Sequence, residues 1–351
     1  MTLATELLSS LRGGRPGLGG AARILAAGSL ALAVSACGGA SSNGMPPGDG
    51  GMVLDGSTTG MTDTLTTSGR HIVDRCGNAF VPRGLENALG EQLPPGNDWG
   101  GFVDKMAATG ANAIRVLPDV AQLSLTDLDA VFKRVVANDL VVYVSPGNRS
   151  WFGQSGVKTL LDTYKGNLVL DAFQEPNYDD RTRWLSDVEA AIDQVRGYGY
   201  TVPITVLANQ YGRDLPVLLS KGADVVAHDP QHRVILGWQA YWGSSGWYQS
   251  QYHMTLSEGF AAAGAAGFPI QAGIDDIADL PSEHMDYSAA MTAAQSNGIG
   301  WLWWDWYNPY GSANSLSTDG TVNHLTSVGS TVVNTHPASI AHTSVKACRP
   351  M

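Results

Sequence analysis

The chain has 351 residues, of which 44% are hydrophobic and 15% charged, with a formal net charge of −11. This is a globular composition with room for one large or two ordinary domains. The acidic balance argues against nucleic acid or an anionic lipid surface as the partner.

The first segment is not part of a fold. Arg12, Arg15 and Arg23 precede an apolar run from Ile24 to Val34, too short to span a bilayer, and the run meets Ser35-Ala36-Cys37. A basic region, a short hydrophobic stretch and small residues at a cleavage point make a secretory signal. The pattern looks like a bacterial lipoprotein signal with Cys37 as the lipidated first residue of the mature protein; a plain secretory signal is the alternative. Gly38 follows the cysteine, where lipoproteins kept at the inner membrane have Asp, so the outer membrane or cell surface is the expected location. Removal of residues 1–36 takes away three Arg and one Glu and leaves about −13. Residues 37–67, with Gly, Ser, Thr, Met and Pro and no periodicity, read as a flexible tether. The folded domain is therefore expected at 68–351.

Along that domain, short β-rich runs alternate with longer helical ones. Strands are predicted at Ala79 to Gly84, Ala113 to Leu117, Leu140 to Ser145, Leu168 to Phe173, Ile204 to Ala208, Val234 to Ala240, Pro269 to Gly273 and Gly300 to Trp304. Between them, helical spacing is clearest in Thr126 to Ala137, where Leu128, Val131, Phe132, Val135 and Val136 share a face. Further helices are expected at Phe102 to Thr109, Arg181 to Arg196, Thr255 to Ala265 and Met285 to Ser296, each with a glycine soon after its end. Eight strands alternating with helices and no internal repeat fit a single (β/α)8 barrel, in the α/β class.

The fourth run, Leu168 to Asn177, reads LVLDAFQEPN. Pro176 cannot continue a ladder of backbone hydrogen bonds, so the strand is expected to end at about Glu175. A carboxylate at the carboxyl end of a buried strand is where barrel enzymes place catalytic groups. A glutamate capping a loop or pairing with an arginine is the plainer reading.

Several stretches in order carry a family resemblance: Asp74 to Gly84, Ala107 to Val116, Tyr211 to Leu215, Asp229-Pro230, Gly300 to Trp306 and Asp319 to Asn334. Over about residues 68–346 the chain resembles glycoside hydrolase family 5, most of all its bacterial endo-β-1,4-mannanase branch. The resemblance implies the eight-fold barrel, a retaining mechanism with two carboxyl groups about 5–5.5 Å apart, and no cofactor or metal. It makes Glu175 the acid/base glutamate, with Gln174 where the family has Asn, and Arg115 the arginine that holds the nucleophile ionised. On the residues alone, Arg115 reads as a structural ion pair. The seventh strand departs from the family: the nucleophile position after Gly273 is Ile274, followed by Asp275 and Asp276, which become the candidate second carboxylates. The family's His-x-Tyr after the sixth strand is Gln239-Ala240-Tyr241, and its third-strand His-Asp is replaced by Ser145-Pro146-Gly147-Asn148.

Sugar-binding features survive better. Trp238, Trp242, Trp247, Trp301, Trp303, Trp304 and Trp306 cluster around the sixth and eighth strands, and indole faces stack on pyranose rings. Pleat alternation makes about half of them core. Trp304 matches the family's sugar platform, and Trp306, Gln174, Gln239, Tyr241 and Arg115 complete the expected substrate-binding set. Cys76 and Cys348, the two cysteines left after lipidation, are expected to pair, with two separate buried thiols as the alternative. His228 and His232 flank Pro230, which makes a zinc-binding helix improbable and a surface loop the expected form. Two functions stay open: an exported monomeric hydrolase of a β-linked mannan or glucan, and a carbohydrate-binding lipoprotein without chemistry.

Overall fold

The computed structural model describes residues 61–89, 98–117, 123–241, 247–274 and 285–349. The signal, Cys37, most of the tether, Asp275 and Asp276 lie outside the described residues. So do Trp242 and the side chain of Trp247.

Three short strands, β1 (Thr66–Ser68), β2 (His71–Val73) and β3 (Ala79–Phe80), make an antiparallel sheet. Packing begins a few residues ahead of the expected domain boundary, because Thr64 and Leu65 are fully buried. Next come β4 (Arg83–Asn87), α1 (Trp99–Ala107), β5 (Ala113–Val116), α2 (Leu125–Ala137), β6 (Val141–Val144), α3 (Ser155–Thr163), β7 (Leu168–Phe173), α4 (Arg181–Gly197) and β8 (Ile204–Leu207). The series ends with α5 (Leu215–His228), β9 (Val234–Gln239), α6 (Trp247–Tyr252), α7 (Leu256–Ala265), β10 (Ile270–Ile274), α8 (Tyr287–Asn297) and β11 (Trp301–Trp303). Strands β4 to β11 close into one parallel barrel, β11 returning to pair with β4. The expected (β/α)8 architecture is present.

One predicted strand was placed wrongly. The run Ala79 to Gly84 is divided at Pro82, whose missing N–H cannot join a central ladder. Its first half lies in the small sheet, and the barrel's first strand is Arg83–Asn87. Gly84 is required there, since a Cβ would stand 2.0 Å from the Ala113 carbonyl oxygen on β5. Helices α3 and α5, which the sequence reading passed over, complete the outer layer.

The helices start on side-chain caps. Asp98, Asp180, Asp214 and Asp286 each accept from a backbone N–H in the first turn, and Ser124 with Asp127 and Thr255 with Glu258 form capping boxes. Each such cap is worth about 1 kcal/mol. Two apolar clusters follow from strand alternation. One lies between strands and helices; the other fills the barrel's lower interior with Ala113, Val141, Tyr143, Val169, Ile235 and Leu302, plugged by Leu65, Ile72 and Phe80. A Cys76–Cys348 disulfide ties the small sheet to the C-terminal tail across this closed end, with Cα atoms 5.7 Å apart.

Candidate active site

The upper interior of the barrel is polar. Alternation turns Glu86, Arg115, Tyr143, Asp171, Thr205, Gln239, Gln271 and Gly273 toward one small cavity of about 30 Å³. At its centre, Arg115 donates from Nη1 to Glu86 Oε2 at 2.8 Å and from Nη2 to Asp171 Oδ2 at 2.5 Å. Ser145 Oγ lies 2.8 Å from the same Asp171 oxygen and 2.9 Å from Gln174 Oε1, so its single proton serves one of them at a time. Burial pushes the Glu86 carboxyl up; Arg115 opposes this, and the Asp171 and Glu175 charges add to it. The two carboxylates hold the Arg115 proton more firmly than usual against the burial that would loosen it.

Around the cavity, the Tyr143 hydroxyl, Asp171 Oδ1, Thr205 Oγ1 and Gln271 Oε1 have no hydrogen-bond partner among the described residues. Natural interiors rarely leave such groups unpaired, so each has capacity for a bond to a buried water or a ligand hydroxyl.

Above the cavity stands Glu175, exposed, two residues beyond the end of β7. Its φ of +43° is uncommon for a side chain larger than glycine and costs on the order of 1 kcal/mol. The loop is held in place from β8: Asn209 accepts from the Tyr178 N–H and donates to the Tyr178 carbonyl, both at 2.8 Å, and the Tyr211 N–H donates to the Pro176 carbonyl. Gln239 Nε2 donates to Glu175 Oε1 at 2.7 Å. Gln239 thus joins the acidic loop to the sixth barrel strand, where the resemblance leads one to expect an imidazole.

Of the predicted site residues, Arg115, Gln174, Glu175 and Gln239 converge at this end of the barrel, and half-buried Tyr241 lies two residues beyond the end of β9. Ile274 is different. It is fully buried in the strand–helix cluster with Ile270 and Ala272, while Gln271 and Gly273 are the β10 residues that face the cavity. Trp306 is a correction: it is fully buried, and its Nε1 donates to the Gly320 carbonyl at 3.2 Å, so it cannot stack on a sugar. Trp238, Trp301 and Trp303 are core as well, and among the described side chains of the seven only Trp304 is partly exposed. His228 ends α5, and Asp229 beside it is fully buried with both oxygens on Arg196 at 2.7 Å.

Sequence reasoning missed Glu86, Asp171 and Tyr143 as site residues. Asp171 had a signal, being the lone charge in an apolar strand. Glu86 had only the proline that displaces its strand by a few residues.

Comparison with known proteins agrees with this architecture. No family model matches the chain. The mannan endo-1,4-β-mannosidase of Streptomyces lividans is 26% identical over 295 residues, covering 77% of this chain and 73% of the relative. That of Cellvibrio japonicus is 23% identical over 303 residues, covering 80% and 68%. Among solved structures, the Streptomyces thermolilacinus β-mannanase with mannohexaose matches with a TM-score of 0.70 at 20% identity, covering 81% of this chain and 97% of that one. The mannanase catalytic domain from Streptomyces sp. SirexAA-E matches with a TM-score of 0.69 at 24% identity, covering 84% and 98%. At these identities the structures establish a shared barrel, and the sequence relatives bear out the resemblance to the mannanase branch of glycoside hydrolase family 5.

Proposed function

We propose that this protein is an exported glycoside hydrolase acting on β-1,4-linked mannan, anchored through a lipidated Cys37 at the outer membrane or cell surface. The observation that carries the reading is Glu175: a carboxyl group on a fixed loop at the carboxyl end of the fourth barrel strand, bonded to Gln239 and standing over a buried arginine and two further carboxylates. Such a group can protonate a departing glycosidic oxygen. The substrate class is suggested by the relatives, both mannan endo-1,4-β-mannosidases, and by the mannohexaose in the S. thermolilacinus structure. The partly exposed Trp304 offers a stacking face for a pyranose ring.

A second reading, sugar binding without hydrolysis, is favoured by Ile274, an apolar, core-facing residue where the resemblance asks for the nucleophile. Purified protein offered β-mannan, β-glucan and their oligosaccharides, with binding and reducing ends measured together, separates the two. Reducing ends from mannan support the hydrolase, binding without them supports the second reading, and neither on any glycan rejects both. For the anchor, wild type is expected to partition into detergent and Cys37→Ala into the aqueous phase; equal partitioning rejects lipidation at Cys37.

A further inference from the structure

A retaining glycosidase needs a second carboxylate opposite its acid, and the seventh strand supplies none at Ile274. Gly273, which with Gln271 faces the cavity from β10, has no side chain. A Cβ built at Gly273 would lie 3.9 Å from Glu86 Oε1 and 3.9 Å from Gln239 Cγ. The carboxyl group of Glu86 therefore reaches from the first barrel strand, past β11, into the side-chain space of the seventh. Strand order makes this short, because β10, β11 and β4 are consecutive in the closed sheet. Glu86 Oε2 is fixed by Arg115, the arginine that the resemblance assigns to the nucleophile, and Oε1 points to the space beside Gly273. Gln239 borders the same space and holds Glu175 on the other side.

We propose that Glu86 is the nucleophile of this site, a carboxylate delivered from the first barrel strand to the place that a seventh-strand glutamate would fill. The inference rests on the hydrolase reading of the site. In the first half-reaction Glu86 Oε1 gives an electron pair to the anomeric carbon, the glycosidic C–O bond breaks, and the leaving oxygen takes the Glu175 proton. In the second, a water gives a proton to Glu175 and its oxygen bonds to the anomeric carbon, while the ester pair returns to Glu86. One water is consumed and nothing else is required. Gly273 belongs to the arrangement, since a longer side chain there would occupy the path of Oε1.

The direct test uses the intact wild-type protein. Incubation with 2-deoxy-2-fluoro-β-mannosyl fluoride, followed by digestion and mass spectrometry, is expected to trap the sugar on the peptide that contains Glu86. A label on Asp275, Asp276 or any other residue overturns the proposal. In parallel, Glu86→Ala is expected to lose about a thousand-fold or more in kcat/KM on an aryl β-mannobioside. Azide should restore turnover with an α-mannosyl azide as product, whereas Glu175→Ala with azide should give the β product. A merely structural role for Glu86 predicts no such configuration. Wild-type hydrolysis of mannan together with an unimpaired Glu86→Ala sinks this inference alone. Wild-type protein that hydrolyses no mannan sinks the hydrolase reading as well.

Discussion

Two buried arginines, thirty-two residues apart in sequence and on neighbouring strands, divide the barrel into a structural and a chemical end. Arg83, at the start of β4, is only 1% exposed and meets neutral acceptors: the carbonyls of Pro82 and Ile299, Gln295 Oε1 and Thr343 Oγ1. Burial without a carboxylate loosens its proton, lowering its pKa to about 10. Arg115, deeper in the next strand, spends its donors on Glu86, Asp171 and Ser145. The first arginine stitches strand, helix and C-terminal tail together. The second sets the charge of a cavity lined by groups without a hydrogen-bond partner among the described residues. In this barrel the arginine on carbonyls lies at the closed end, and the one on carboxylates lies at the end where the proposed function puts the substrate.

Replacing each arginine is the strongest way to break this comparison. Arg115→Met leaves two carboxylates buried without their counter-charge, a change that costs about 3–5 kcal/mol. Urea unfolding at pH 7 should show that loss, and hydrolysis should vanish with it. Arg83→Met strands only neutral acceptors and should cost about 1–3 kcal/mol while leaving kcat/KM per folded molecule unchanged. Equal effects on activity would erase the distinction between the two ends.

The tryptophans sharpen the comparison along β11 and its continuation. Trp306→Ala removes a fully buried indole and is expected to destabilise by about 3–5 kcal/mol. Trp304→Ala removes a partly exposed one, so stability should hold while oligosaccharide binding weakens roughly 3- to 10-fold, in line with about 0.5–1.5 kcal/mol for stacking. Calorimetry for the first and binding titration with mannohexaose for the second give the comparison. A Trp306 variant that stays stable but loses sugar affinity would reverse the assignment.

The same contrast explains what could be read from the sequence. Alternating β-rich runs and helical spacing gave the barrel, because periodicity records which side of each element is buried. Glu175 was legible because Pro176 marks a strand end. Trp306 was misread because sequence spacing does not give the direction of a side chain beyond the end of a strand. Glu86 escaped because RGLEN, fully buried in the structure, carries two charged residues and follows a proline, and the strand predicted from the sequence stops at Gly84, two residues short of it. Its partner is 29 positions away, and nothing local in the sequence shows that its carboxyl reaches the space beside Gly273.

A smaller effect concerns the closed end alone. The Cys76–Cys348 bond spans 272 residues and joins the two termini of the fold. Its reduction should lower unfolding free energy by about 2–4 kcal/mol, mostly through the unfolded chain, with mannan binding by the folded protein unaltered. Thiol titration of unfolded, unreduced protein should find none from this pair. A reduced protein that remains folded but no longer binds mannan would show the two ends to be coupled.

The smallest effects are in the pH dependence, where the two ends should differ in sign. At the chemical end, burial holds the Glu86 carboxyl above its usual range despite Arg115. The folded protein keeps that proton to higher pH than the unfolded chain, so stability falls as pH rises from about 4.5 through the folded value. Away from the cavity, burial of Asp229 is outweighed by its Arg196 pair and by backbone N–H groups of Arg233 and Gln231, and its carboxyl sits below the usual range. That group stabilises the fold above its unfolded value, near 3.8, and the gain is lost as pH falls through its folded value. Each group can contribute a slope of at most about 1.4 kcal/mol per pH unit, one proton's worth. Glu86→Gln should therefore flatten the decline toward neutral pH and leave the protein at least as stable at pH 7, because Arg115 keeps Asp171 and one buried charge is gone. Asp229→Asn should flatten the acid limb and cost stability at pH 7. Urea midpoints from pH 3 to 8 for the three proteins decide it. A Glu86→Gln protein less stable than wild type at pH 7 would mean that the second carboxylate holds the barrel together rather than being kept there, against stability, for its chemistry.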